Sequence, residues 1–320
     1  MRLFANANYD FLGRRRVAYL LTLAILIPGL IALLAFGVNY SVEFTGGTLV
    51  HVSSPRPIDV GSVRQALARA GLPGAEIQTF GSEREIVIRA RTAAAGADAD
   101  DTQATAAAVT RALAAALGED AFTIERTEAV SPKVGADLRG RALMAILLSF
   151  VAVLAYLAYR FEWRFGVAAV IATAHDILAS LAFIGITRLE VSLFVVAGLL
   201  TIVGYSLNDT IVIFDRIREN LHKSKRERFV DVLNRSINET LPRTFFTGTT
   251  ALGSLVALAT LGGDVVRPFA LLMLFGVVVG TFSSIFIASP VLYAIEQRWP
   301  GPDVRGHRAP GRPSQPAAPA

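Results

Sequence analysis

Long apolar runs alternate with short polar segments along this chain, and a single polar stretch of about a hundred residues interrupts them. A transmembrane helix needs about 20 consecutive apolar residues. Runs of that length predict six spans, over 17–38, 142–159, 165–187, 191–214, 242–263 and 268–295. The pattern therefore predicts a polytopic α-helical membrane protein.

The segments outside the spans are mostly short. Residues 1–16 precede the first span, 215–240 form a basic connector, and 299–320 form a Pro/Gly/Ala-rich tail that we expect to be disordered. A cleaved signal peptide also places basic residues before an apolar run. The first apolar run exceeds a usual signal core, which favours an uncleaved anchor, and Pro28 at its middle predicts a kink.

The polar stretch 39–138 has the periodicity of a small folded domain. Strand-like and helical runs alternate in it, with strands over 48–52, 76–80, 85–89 and 122–129 and helices over 60–70 and 102–117. The order β-α-β-β-α-β is that of a ferredoxin-like sandwich. The stretch contains no obvious nucleophile or acid/base pair. We therefore expect an α+β domain that binds another molecule or acts as a spacer, and not an enzyme.

Charge placement predicts the orientation in the membrane. Lysine and arginine gather at 14–16, 160–164, 216–235 and the tail, whereas the opposite short connections hold only Arg188 and Arg267. The side richer in basic residues is normally cytoplasmic. Both termini are therefore expected in the cytoplasm and residues 39–138 outside it.

Composition narrows the chemistry further. Hydrophobic residues make up 53% of the chain, cysteine is absent and histidine occurs four times. Disulfides and thiolate metal sites are thereby excluded, a histidine metal site is disfavoured, and no cofactor is expected. The net charge of +5 is explained by topology, so no specific nucleic-acid partner is expected; contact of the basic connector with anionic lipid or ribosomal RNA is a minor alternative.

One carboxylate, Asp209, lies inside the fourth apolar run. A charge at the centre of a spanning helix costs about 2.5–3.5 kcal/mol on insertion scales, and such a residue is usually buried against other helices or lies at a water-filled path for ions or protons. Small and polar residues recur around it at three- and four-residue steps: Gly198, Thr201, Tyr205, Asn208, Asp209 and Val212. This stripe predicts close packing against a neighbouring helix.

The fifth span offers a partner of opposite charge. Arg243 opens it near the same membrane face as Asp209, and Thr244, Thr247 and Gly248 follow. A carboxylate beside a guanidinium stays ionised, whereas a desolvated carboxylate without a partner takes up a proton more readily. We therefore predict Asp209 and Arg243 as a proton-coupling pair, with Asn208 and Thr247 as secondary candidates.

Plainer interpretations of these residues stay open at this point. Arg243 could snorkel to the interface and serve topology alone. Asp209 could be a structural partner of Asn208, Tyr205 or Arg243. Asp176, with His175 beside it at the centre of the third span, predicts either a proton relay or a hydrogen bond that packs two helices.

Four segments resemble one known family. Residues 42–48 resemble the D-F-x-G-G segment of the SecD/SecF protein-export membrane subunits, with Glu43 where Asp is commoner. Residues 204–220, 236–244 and 280–288 are also similar to the family, with Pro242 where a small polar residue is commoner. His175-Asp176 fits the third span of the family. The resemblance covers nearly all of residues 1–298.

The resemblance implies a multi-pass subunit of the bacterial inner membrane, related to the resistance-nodulation-division (RND) transporters. Such a subunit pairs with SecD, docks on the SecYEG channel and uses the proton-motive force to complete preprotein translocation, without hydrolytic chemistry. The essential intramembrane Asp and Arg of the family map onto Asp209 and Arg243. An RND-type efflux or lipid transporter subunit and a non-transporting assembly factor are the competing hypotheses.

Overall fold

A computed structural model describes residue 4 and residues 7–90, 99–223 and 227–301. Most of the predicted tail, 299–320, lies outside these residues. In chain order the elements are α1 (Arg15–Phe36), α2 (Val42–Thr45), β1 (Gly47–Ser53), α3 (Val60–Arg69), β2 (Glu76–Phe80), β3 (Ser82–Ala90), α4 (Ala99–Leu117), β4 (Thr123–Val130), α5 (Pro132–Arg160), α6 (Trp163–Thr187), α7 (Leu193–Lys223), α8 (Phe229–Leu261), α9 (Gly263–Ser283), a π-helical segment (Ser284–Ala288) and α10 (Ser289–Arg298).

Six helices of the described residues are long and apolar enough to cross a membrane. They are α1, α5, α6, α7, α8 and a composite last span that runs from Val265 through the π-helical segment to Arg298. The predicted fold class, a polytopic α-helical membrane protein with a small sheet domain, is thereby confirmed.

Several helices extend beyond the apolar runs that predicted them. Helix α5 begins at Pro132, within the stretch assigned to the polar domain, and α7 and α8 take up most of the predicted connector. Hydrophobicity marks only the part of a helix that lies within the hydrocarbon core of the membrane. The helical hydrogen bonds can continue beyond that part. Ion pairs of Arg216 with Glu219 (2.7 Å) and with Glu239 (2.6 Å) stabilise the extensions of α7 and α8.

The polar stretch folds as a four-stranded antiparallel sheet in the order β2-β3-β1-β4. Alternate residues of β1 and β3 are buried under α3 and α4, because successive side chains of a strand point to opposite faces. The shared core comprises Val50, Val52, Val63, Leu67, Ile86, Ile88, Val109 and Leu113. The chain order and strand order are those of the predicted ferredoxin-like sandwich.

Two consecutive glycines form the turn that leads into β1. Gly46 has φ +73° and Gly47 φ +125°, in the region that side chains other than hydrogen rarely adopt. A Cβ at Gly46 would lie 2.6 Å from Pro132 Cα. Glycine is therefore required here both by the turn and by the close approach of the first residue of α5.

In the membrane unit, α7 packs closely along α9. A side chain at Gly276 would collide with Ile202, and one at Gly280 would lie 3.0 Å from Ser206 Cβ. Gly198 faces Phe269 in the same way, with 3.2 Å between its Cβ position and the ring. Small residues let two helices in lipid approach closely, so this seam holds the part of α7 that carries Asp209.

The segment before α1, residues 7–14, lies along α8 and is called the N-terminal strap below. Asn238 accepts from the Tyr9 amide and donates to the Tyr9 carbonyl, both at 2.9 Å. Asn234 Oδ1 accepts from the amides of Phe11 and Leu12 at 3.1 Å. Leu12 is fully buried, so the strap is anchored to the helix that carries Arg243.

Candidate functional site

The Asp209 side chain is buried at the junction of α7, α8 and α9, with 3% of its surface exposed. The Arg243 charge on α8 acts on its carboxylate, and the Thr281 hydroxyl of α9 lies beside it, outside hydrogen-bond geometry. Arg243 is therefore near enough for its charge to act on Asp209, but among the described residues no ion pair within 4 Å joins the two, and their role as a pair stays a prediction. Tyr205, one turn earlier on α7, is close enough for its hydroxyl to be affected by the Asp209 charge.

Unpaired polar atoms accumulate at this junction. Among the described residues, Asp209 Oδ2 and the hydroxyls of Tyr205, Thr244 and Thr281 are buried without a hydrogen-bond partner. A Cβ at Gly248 would lie 3.7 Å from Thr281 Oγ1 and 4.0 Å from the Tyr205 hydroxyl, so α8 borders the same cluster. Buried polar groups are nearly always paired. A junction with several unpaired polar groups can rearrange its hydrogen bonds when a proton binds or leaves.

The predicted polar stripe on α7 is divided by the packing. Gly198 and Asp209 are buried, whereas Thr201 and Asn208 are exposed in this chain. A stripe built from three- and four-residue steps is wide, and only one side of it meets α9. Asn208 is therefore next to Asp209 in sequence but lies outside the buried junction.

The candidates on α8 also separate by exposure. Arg243 is exposed, Thr244 is 1% exposed and Thr247 is half-buried. Arg243 thus has the position expected of a snorkelling residue, and its charge still acts on Asp209. Pro242 lies inside α8, and the helix continues through it.

Asp176 differs from Asp209 because both of its oxygens are paired. Asp176 Oδ2 accepts from Ser206 of α7 and from Ser283 of α9 (2.7 Å), and Oδ1 contacts His175 Nδ1 at 2.9 Å. The side chain is 0% exposed. This carboxylate therefore joins α6, α7 and α9, which is the packing interpretation left open by the sequence.

The hydroxyl residues that complete both sites were not found by sequence reasoning. Thr281 and Ser283 lie in residues 280–288 and Ser206 lies in residues 204–220, which the sequence marks only through their family resemblance. The available signal was a group of hydroxyls next to Gly280 inside an otherwise apolar span. The π-helical segment begins directly after Ser283. Such segments are rare overall, but those that occur are often found at functional sites.

Comparison with known proteins gives two matches to family sequence models. The family described as protein export membrane protein SecD/SecF, C-terminal, matches residues 109–298. The SecD/SecF GG motif matches residues 31–53, which include the glycine turn before β1. Together these matches cover the spans that carry Asp209 and Arg243.

Relatives of known name agree with this assignment. The chain is 53% identical to the protein translocase subunit SecF of Gemmatimonas aurantiaca, over 94% of this chain and 91% of that protein. It is 42% identical to the SecF subunit of Magnetococcus marinus, over 92% and 95% of the two chains.

Solved structures show the same fold within a longer chain. The crystal structure of SecDF, a translocon-associated membrane protein from Thermus thermophilus, superposes with a TM-score of 0.81 at 37% identity. SecDF in its super-membrane-facing form superposes with a TM-score of 0.66 at 35% identity. The match covers 93% and 92% of this chain but only 40% of either SecDF chain. This chain belongs to the SecD/SecF family of protein-export membrane proteins, in its SecF branch.

Proposed function

We propose that this chain is a proton-coupled subunit of the protein-export machinery, which acts with SecD to drive or complete translocation by the SecYEG channel. The observation that carries the proposal is the Asp209 junction, where a buried carboxylate with an unpaired oxygen lies near buried hydroxyls and within the influence of the Arg243 charge. A buried carboxylate with rearrangeable partners is suited to reversible protonation.

In this mechanism the Asp209 carboxylate alternates between two partners, the Arg243 guanidinium and a proton. Protonation removes the charge that attracts Arg243, so α7 and α8 are free to shift relative to each other. One proton that crosses 100 mV releases about 2.3 kcal/mol, enough to bias such a shift. Protons are the only coupling ion proposed, and the subunit itself performs no hydrolysis.

The SecD partnership is supported by polar groups that this chain leaves exposed within apolar helices. Asn208 of α7 is exposed, and Thr201 and Thr250 are exposed with hydroxyls that donate to carbonyls of their own helices. Polar residues in spanning helices normally face other helices. We therefore propose that SecD covers this face, that SecYEG and the preprotein contact the assembly, and that both termini lie in the cytoplasm of a bacterial cell.

The test is Asp209→Asn, which keeps the side-chain shape and removes the ionisable group. We expect secretion of a reporter preprotein to lose its dependence on the proton gradient in cells depleted of their own copy. Asp215→Asn is the matched control, because Asp215 is on the same helix but half-exposed in an ion pair with Arg160 (2.6 Å).

Three outcomes separate the hypotheses. If Asp209→Asn is present at the normal level and its secretion no longer depends on the proton gradient, coupling is supported. If its secretion depends on the gradient as much as that of the wild type, coupling is refuted. If the amount of the subunit falls and secretion falls in the same proportion, the chain is an assembly factor whose polar membrane residues serve helix packing.

A further inference from the structure

The connection between α6 and α7 is held by the sheet domain through two carboxylates. Residues Glu190–Leu193 belong to the same compact unit as residues 39–146. Glu190 forms an ion pair with Arg89 of β3, in which the two side chains are 28% and 16% exposed. Leu193, the first residue of α7, donates its amide hydrogen to Glu43 at 2.7 Å.

Backbone pairing strengthens this attachment. Val191 donates to the Asn39 carbonyl at 2.8 Å, and Ser41 donates to the Val191 carbonyl at 3.0 Å. Tyr40 and Val191 thus form a parallel bridge between the segment after α1 and the segment before α7. The start of α7 is therefore fixed to the domain by main-chain bonds as well as by charges.

The position of Arg89 indicates which part of the domain is attached. Arg89 follows the buried Ile88 on β3 and precedes the buried Ala90, so it lies on the sheet face away from α3 and α4. It pairs in register with Leu49 of β1, which in turn pairs with Glu128 of β4. A force on Glu190 is thus applied to a central strand, whose hydrogen bonds on both edges distribute it across the sheet.

Helix α7 makes this attachment functionally relevant, because it also carries Asp209. Sixteen residues separate Leu193 from Asp209, or about 24 Å at helical rise. A continuous helix transmits axial or rotational displacement along its length. We propose that Glu43, Glu190 and Arg89 form a coupling joint, through which movement of α7 at the proton site is passed to the sheet domain. This inference rests on the proposed function and assigns positioning residues to it.

The experiment uses charge reversal and its rescue in the full-length protein. Arg89→Glu and Glu190→Arg, each alone, place like charges opposite each other, and we expect gradient-dependent secretion to fall to the level of Asp209→Asn. The double variant R89E/E190R restores opposite charges, and we expect it to regain most of that loss. Arg84→Glu is the matched control, since Arg84 is exposed on the same strand and undergoes the same charge change.

The outcomes distinguish the joint from the proton site. If Asp209→Asn abolishes gradient dependence while the single reversals retain it, the joint is refuted and the proposed function stands. If Asp209→Asn has no effect, the proposed function fails whatever the reversals do. A double variant that stays as inactive as the singles at normal subunit level also refutes the joint, because a pairing role requires rescue.

Discussion

Two carboxylates buried in the membrane helices differ in how completely they are paired. Asp176 has partners on both oxygens, whereas Asp209 Oδ2 has none among the described residues. Removing one partner of a buried polar group costs about 1–3 kcal/mol. Asp176 is therefore suited to holding three helices together, and Asp209 to changing its partners at low cost.

A third carboxylate, Glu190, gives a pH-dependent prediction outside the membrane spans. Burial raises the pKa of Glu190, and the Glu43 charge adds to this, while Arg89 and Arg126 oppose it. A folded-state pKa above the unfolded value near 4.3 means that the folded protein binds the proton more tightly. Stability from this group is therefore present below the unfolded pKa and lost as pH rises through the folded pKa.

We expect the wild type to gain stability relative to Glu190→Gln as pH is lowered through this window. Thermal unfolding in detergent, measured for both proteins across the acidic range, checks the prediction. A stability difference that stays constant with pH, or that moves in the opposite direction, would contradict it.

At the scale of elements, apolar length and alternation predicted the six spans and the ferredoxin-like sandwich. Both patterns result from burial, either in lipid or in a two-layer core. Burial requires apolar residues at regular positions, which can be seen in a single sequence. The helical extensions over 132–141 and 229–241 carry no such signal, because they depend on ion pairs and on docking of other segments. At the candidate site, charge alone marks Asp209 and Arg243, whose role stays a prediction, whereas Thr281 and Ser283 carry no such mark because hydroxyls are ordinary in spanning helices.

The α7–α9 seam gives a prediction with a matched control. Gly276→Ala places a methyl group into Ile202, whereas Gly253→Ala on α8 meets nothing within 4 Å. Overpacking costs about 1–3 kcal/mol, whereas Gly to Ala in an open helix position gains up to about 1 kcal/mol. We expect Gly276→Ala to lower the unfolding temperature in detergent and Gly253→Ala to leave it unchanged or raised. Equal effects would show that the seam is not closely packed.

At the scale of the whole molecule, the proposed orientation puts the connection between α7 and α8 in the cytoplasm and the sheet domain outside it. The chain contains no cysteine, so a single introduced thiol reports one position. We expect Lys223→Cys to react with an impermeant maleimide only in inverted vesicles, and Glu83→Cys only in right-side-out vesicles or cells. Both residues are exposed. Reaction of both from the same side would overturn the orientation.

The N-terminal strap has a consequence for biosynthesis. Tyr9 is bound by Asn238, a residue 229 positions later in the chain. At about 5–20 residues per second, the ribosome supplies this partner roughly 10–50 seconds after Tyr9. Until then Leu12 has no α8 to bury it, and a chain truncated before α8 never buries it. A prematurely terminated product thus carries an uncovered apolar segment at its beginning, which the finished chain buries.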